Sequence, residues 1–301
     1  MIDRIVHLVI LLLLPPLLPG VIAKTKAWFA GRQGPPVLQP YYDLARLWRR
    51  GMVFSTTSTW VFRAGPVVTL AALLLAGLLV PFGGADAPAG FAGDLILFAY
   101  LFGLGRFFTT AAALDTGSAF EGMGASREVT FACLSEPALF LALMVLARLS
   151  GSLSLGTMLQ ATAGGVPADT VAPLVLIAIG LFIVLLAEAC RIPVDDPATH
   201  LELTMIHEVM VLDHSGPLFG AILYGAAVKL LVLGALLYHV LVPARAGRGL
   251  DWLLFLAGML GLSVAIGIVE SIMARLQMRH VPRLLVGALL CCGFGFILLV
   301  R

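Results

Sequence analysis

The sequence predicts an all-α integral membrane protein: about eight transmembrane helices in one bundle, with two elaborated loops on one side. Three observations carry this prediction. Of the 301 residues, 60% are hydrophobic and only 12% are charged, about half the charged share of soluble domains, and the mean hydropathy is +1.03. The apolar residues fall in long runs, and a helix needs about 20 residues to cross a hydrocarbon core of about 30 Å. Barrel strands would instead be about 10 residues long and alternate in polarity. The remaining charges are gathered into a few segments.

Taken in order, the runs place spans at Ile5–Ala23, Gly65–Phe82, Leu95–Leu114, Val129–Leu149, Val171–Ala189, Leu218–Val242, Trp252–Ser271 and Leu284–Val300. A cleavable signal peptide at the first run is disfavoured, because Asp3 stands beside Arg4 ahead of it and the basic residues follow it. No soluble domain or internal repeat interrupts the pattern, so residues 1–301 read as a single polytopic domain. Loop one, 24–60, carries Lys24, Lys26, Arg32, Arg46, Arg49 and Arg50, and Arg275, Arg279 and Arg283 follow the seventh span. The loops on the other side, 83–94 and 150–170, hold no Lys or Arg, although Arg245 and Arg248 weaken the asymmetry in the third. The positive-inside rule puts loops 24–60 and 189–216 in the cytoplasm and both termini outside.

Within loop one, Leu38, Tyr42, Ala45, Leu47 and Trp48 oppose Asp43, Arg46, Arg49 and Arg50. That pattern is an amphipathic helix for the membrane surface or a protein partner.

A charge at the bilayer centre costs about 2.5–3.5 kcal/mol on insertion scales, so each intramembrane ionisable residue is a functional candidate. Arg106, Asp115, Glu121, Glu136, Glu188, Lys229, His239 and Glu270 lie within or at the edge of spans. Mutual pairing that fixes helix packing is the alternative for any one of them. As a set, acids outnumber bases at depth, which suits carboxyls to carrying protons. Glu136 precedes Pro137, which frees a backbone carbonyl. Glu270, near the end of its span, is expected to snorkel.

The densest cluster is "AEACRIPVDDPATHLELTMIHEVMVLDHSGP", residues 187–217. His200, His207 and His214 recur every seven residues, about 10 Å apart on a helix and too far to share one metal ion. "HEVMV" has Val211 where a zinc-protease motif needs its second His. The expectation is a loop with Pro193 and Pro197 bracketing Asp195 and Asp196, then a helix from about Ala198 with Glu202, His207 and Glu208 on its polar face. Cys133, Cys190, Cys291 and Cys292 have no metal-type spacing and read as small buried apolar residues.

These residues resemble a known family, the membrane subunit that complex I (its subunit 1) shares with membrane-bound nickel–iron hydrogenases. "GRQGPPVLQPYYDLARLW" is similar to the family's signature after the first helix. "SREVTFACLSEP" keeps an Arg and a Glu nine residues apart, at Arg127 and Glu136. "AEACRIPVDDPATHLELTMIHE" resembles the A-E-x-x-R-x-P-F-D-x-P-E signature, with Glu188, Arg191, Pro193, Asp195, Pro197 and Glu202 on its marked positions. "PATHLEL" departs from the acidic run of complex I, and "LDTGSAFEGMGASRE" and "HLELTMIHE" look like the formate hydrogenlyase and hydrogenase-4 branch.

The resemblance implies an anchor and coupling subunit that links a peripheral redox arm to proton or ion translocation in a bacterial or archaeal inner membrane. Glu188, Arg191, Asp195, Glu202, Glu208 and Asp213 would form the mouth of a polar channel, and Glu136, Glu121 and Asp115 would continue it. Arg127 would hold neighbouring carboxylates ionised, and Lys229 would hand the path to an antiporter-like subunit. Arg32, Asp43, Arg46 and Arg49 would dock the arm. The implied partners are the hydrogenase large and small subunits, an iron–sulfur subunit, the antiporter-like membrane subunit and the lipid bilayer, with no nucleic acid. No catalytic or metal-binding residue is assigned to this chain. The nickel–iron centre and the iron–sulfur clusters are expected on the partners, since no thiolate set is present to ligate them. Two alternatives stand beside this reading: a quinone-binding complex I subunit 1, and a stand-alone ion or solute transporter.

Overall fold

The structure is a computed structural model that describes residues 2–161, 167–196, 205–242 and 247–300. Eleven α-helices are present among them: α1 Ile2–Leu13, α2 Leu17–Phe29, α3 Gln39–Trp48, α4 Trp60–Leu79, α5 Asp94–Asp115, α6 Ala119–Ser150, α7 Leu155–Gln160, α8 Val171–Glu188, α9 Gly216–Leu241, α10 Arg248–Ile272 and α11 Val281–Val300. Seven helices are long and apolar enough to cross a membrane, and α1 with α2, taken as one broken span, makes eight.

The first span differs from the continuous helix expected over Ile5–Ala23. It breaks between Leu13 and Leu17, and the two halves meet at 50°. Pro15 and Pro16 cause the break, because neither has an N–H to continue the backbone ladder. The carbonyls this frees find other donors. The Tyr224 hydroxyl of α9 donates to Leu12 O at 2.9 Å, and the Tyr41 hydroxyl of α3 donates to Leu13 O.

α9 is the central helix and is mostly buried in the bundle, whereas α10 and α11 turn most of their surface outward. α4 lies along α5 and α9, α11 fits between α6 and α8, and α10 runs along α2. Small residues permit these approaches, as expected where packing rather than hydrophobicity holds helices together. Gly65 of α4 lies against Ala112 of α5, and Gly180 of α8 against Cys292 and the Ala288 carbonyl of α11. Gly180→Leu would overlap Cys292 and is expected to destabilise by about 1–3 kcal/mol, read as a lower thermal midpoint in detergent.

The elaborated loops and the turn after α10 meet at one end of the bundle. Val53 N donates to Ser215 Oγ at 3.2 Å, Asp213 N to Glu121 Oε1 at 3.1 Å and Leu276 N to the Pro193 carbonyl at 2.9 Å. The amphipathic helix of loop one is present as α3, with Leu44 buried and Tyr42, Arg46 and Arg49 exposed. Of the helix expected from Ala198, residues 198–204 lie outside the described residues, and the rest is not helical as expected: residues 205–207 are irregular and Glu208–Val211 is a single 3₁₀ turn. Backbone N–H groups of Ile206 and His207 are instead bound by Asp195. At the other end of the bundle His239 Nε2 donates to the Pro81 carbonyl at 3.0 Å, and buried Asp94 accepts from Leu155 N at 2.6 Å.

Candidate functional site

Where α8 ends, the chain must turn sharply to begin its charged loop. Arg191 N reaches back to Leu186 O at 2.8 Å and Cys190 N to Ala187 O at 3.3 Å, the paired bonds of a Schellman stop. Its left-handed position, normally glycine, is occupied by Cys190 at φ 55°, a conformation that costs a non-glycine residue about 1 kcal/mol or more. The stop leaves Glu188 facing the bundle interior and sends Arg191 to Glu270.

Glu188 belongs to a cluster built around Arg106 of α5, whose side chain is only 11% exposed. Each guanidinium nitrogen has its own carboxylate. Nε contacts Glu128 Oε1 at 3.2 Å, Nη1 contacts Glu136, and Nη2 contacts Glu188 Oε1 at 2.6 Å. A rigid fork of five donors allows this sharing, which a lysine could not reproduce. Glu188 is further held by Lys229 Nζ of α9 at 2.5 Å and the Ser135 hydroxyl of α6 at 2.7 Å. Glu136, 41% exposed, is the outermost of the three acids.

The cluster continues into the loop. His207 Nε2 lies 2.9 Å from Glu128 Oε2, and its Nδ1 lies 3.5 Å from Asp195 Oδ2. Asp195, 1% exposed, also accepts from the N–H groups of Asp196, Ile206 and His207 and pairs with Arg275 at 2.8 Å. Asp195, rather than its neighbour Asp196, is therefore the acid that fixes the loop. The contacts run unbroken from Arg275 through Asp195, His207, Glu128 and Arg106 to Glu188 and Lys229. A second group lies beside it: Glu270, with a fully buried side chain, is 2.9 Å from Lys26 and 3.6 Å from Arg191. Glu270 thus pairs internally rather than snorkelling, because α2 brings Lys26 along α10.

Burial alone would raise the Asp195 carboxyl. The nearby His207 imidazole, the His207 backbone N–H and Arg275 outweigh that and hold its pKa below the ordinary range. Burial opposes a charged His207, but the Cys190 sulfur and the Glu128 and Asp195 carboxylates push its pKa well above the ordinary value. These shifts fix the sign of the loop's pH dependence. His207's contribution is full below 6.5, the ordinary imidazole value, and is lost as pH rises through its raised folded pKa. Asp195's contribution is full above 3.8 and is lost as pH falls through its depressed pKa. Amide exchange in the loop should therefore be slowest, after correction for intrinsic rates, between those two values. Protection that grew steadily above pH 6.5 would contradict the assignment.

A cavity of about 430 Å³ opens beside the cluster. Leu44, Leu73, Phe102 and Phe219 form apolar walls, and Arg106, Glu128, Glu188, Cys190, His207, Glu208 and Lys229 line its charged end. Asp43 and Arg191 also border it.

The residues singled out in the sequence are distributed unevenly. Glu136, Glu188, Asp195 and Lys229 join the chain of contacts, and Arg191 and Glu208 lie on the cavity wall. Glu202 lies outside the described residues. Asp115 accepts from Thr59 N, Thr59 Oγ1 and Phe62 N, which are the contacts of a cap on the start of α4. Glu121 is buried and ties down the Asp213 backbone, while Asp213 itself is exposed. Arg127 donates to the Met205 carbonyl at 2.8 Å and lies 3.1 Å from Met123 Sδ. The cation shared by the three acids is Arg106. Arg32, Arg46 and Arg49 are exposed, and Asp43 pairs with Arg46 at 3.1 Å.

Sequence reasoning missed Glu128 and the bridging position of His207. The signal for Glu128 was its seven-residue spacing from Glu121 and Ser135, which puts all three near one face of α6.

Fold and site together define a polytopic membrane protein with a buried axis of ion pairs joined to a structured loop. Comparison gives the family. The family model described as NADH dehydrogenase matches residues 2–301, and the chain belongs to that family, of complex I subunit 1 type. It is 33% identical over 304 residues to formate hydrogenlyase subunit 4 of Escherichia coli (strain K12), covering 97% of this chain and 94% of the relative. It is 34% identical over 235 residues to hydrogenase-4 component C of the same organism, covering 78% and 73%. Among solved structures, a chain of the archaeal membrane-bound sulfane sulfur reductase, a respiratory membrane complex, matches with a TM-score of 0.82 and 22% identity over 99% of this chain and 98% of that one. That likeness is one of fold.

Proposed function

We propose that this chain is the integral-membrane anchor and coupling subunit of a membrane-bound nickel–iron hydrogenase of formate hydrogenlyase or hydrogenase-4 type. It docks the peripheral electron-transfer arm and links its redox events to proton or ion movement. The observation that carries this reading is the continuous line of ion pairs from Arg275 and Asp195 in the loop segments to Glu188 and Lys229 inside the bundle. A displacement of the loop by a docked partner would break one pair and be felt along the line, since buried charges tolerate little loss of partners. The full-length likeness to formate hydrogenlyase subunit 4 supports the choice of branch.

In this reading the basic loops face the cytoplasm of a bacterial or archaeal cell, with both termini outside. Residues 1–301 act as one membrane domain. Exposed Arg32, Arg46 and Arg49 meet the hydrogenase large and small subunits and an iron–sulfur subunit, which hold the nickel–iron centre and the clusters. An antiporter-like membrane subunit packs against the outward-facing helices. The test is a mild-detergent pull-down through a tag on this chain, followed by assay for nickel and for hydrogen evolution from a low-potential dye. Both should be present. A complex that oxidises NADH and reduces quinone instead would overturn the reading.

One observation favours a second reading, a quinone-binding complex I subunit: the cavity joins apolar walls to a charged end. Quinone analogues should then block turnover, whereas a hydrogenase should be indifferent to them.

A further inference from the structure

His207 is the one link in the line of ion pairs that can both hold and release a proton near neutral pH. Its two ring nitrogens address two carboxylates on different elements: Nδ1 faces Asp195 in the segment after α8, and Nε2 faces Glu128 in α6. Around it stand Cys190 at the end of α8, Glu128 with Arg106 of α5 behind it, and Asp195 with Arg275 behind it. Arg127, beside Glu128, binds the Met205 carbonyl, and Arg191 is directed to Glu270. Within the line itself, the four acids Asp195, Glu128, Glu136 and Glu188 meet three permanent cations, Arg275, Arg106 and Lys229. A proton on His207 brings these four acids and the cations among the described residues of the line to equal number.

We propose that His207 carries the exchangeable proton of this line and passes it between the loop and the intramembrane carboxylate Glu128. The inference deepens the proposed coupling role and rests on it for its purpose, though not for its chemistry. The step moves a proton alone. The Nε2–H bond of the imidazolium breaks as an O–H bond forms on Glu128 Oε2, and the ring is left neutral with its remaining proton on Nδ1 facing Asp195. The vacant Nε2 takes the next proton, so the ring must turn to present Nε2 to the loop side, where uptake of one proton restores the imidazolium, before it turns back to Glu128. The bridging geometry supports this: Nε2 lies 2.9 Å from Glu128 Oε2, close enough for direct transfer once the ring turns its N–H onto the oxygen. The carboxylates on both sides of the ring favour its loaded form.

The experiment uses the whole complex, captured through a tag on this chain, labelled with ¹⁵N-histidine and reconstituted in lipid. Subtracting the His207→Gln spectrum isolates the His207 ring signals. The expected result is a doubly protonated ring at pH 7 whose titration moves to lower pH in Glu128→Gln. A neutral ring at pH 7, or a titration indifferent to Glu128→Gln, overturns the proposal, whatever redox chemistry the peripheral arm performs. The second arm is His207→Lys, which keeps a cation but exchanges protons poorly near neutrality. It should assemble yet slow coupled turnover by about tenfold or more. Wild-type turnover in that variant would also overturn the proposal. The nickel and hydrogen assays of the same preparation report separately on the proposed function.

Discussion

Arg106→Met is expected to cost about 3–5 kcal/mol, the usual penalty for removing one partner from a buried charge group, and to show the largest loss of assembly of any single change at the site. Three carboxylates share this guanidinium. Without it, Lys229 and the Ser135 hydroxyl still serve Glu188, and His207 still serves Glu128, but Glu136 loses its ion-pair partner. The check is the thermal midpoint and yield of the tagged complex. Arg106→Lys should recover only part of the loss, because an ammonium offers one centre of charge where the fork reaches three acids. Equal stability of the lysine variant and the wild type would show that charge alone matters.

Asp195→Asn should have the next largest effect, about 3 kcal/mol by the same reasoning, concentrated on the loop rather than the bundle. The neutral amide loses the ion pairs to Arg275 and His207 and turns donors towards backbone N–H groups that need an acceptor. Faster proteolysis between residues 189 and 215, with the transmembrane helices still protected, is the expected result. A cleavage pattern matching the wild type would mean that the loop is held mainly by contacts such as Leu276 N to the Pro193 carbonyl and Asp213 N to Glu121.

The spans were legible because run length is a one-dimensional property. Seven of the expected segments correspond to single long helices, and the bend in the remaining one was written in Pro15 and Pro16, although a count of apolar residues passes over it. The long α6 starts ten residues before the expected Val129, because "AFEGMGASRE" reads as polar while its Glu121 and Glu128 face inward. The site was harder to read. Arg106 stood out as an intramembrane charge, but that three acids from α6 and α8 converge on its fork is a fact about how helices are arranged. Glu128 was overshadowed by Arg127 next to it. Asp115 read as a proton-path acid near the edge of its span, and its contacts with the start of α4 depend on a neighbour that its own segment does not show.

The prolines in the first span have a mechanical consequence. By freeing two carbonyls in the membrane, they create anchor points for Tyr41 of the loop helix and Tyr224 of the central helix on consecutive residues of one chain. A surface element and the middle of the bundle are thereby tied to the same knot. Any force that levers α3 away from the bundle must untie it first, so the stiffness of this surface helix is set partly by the broken first span.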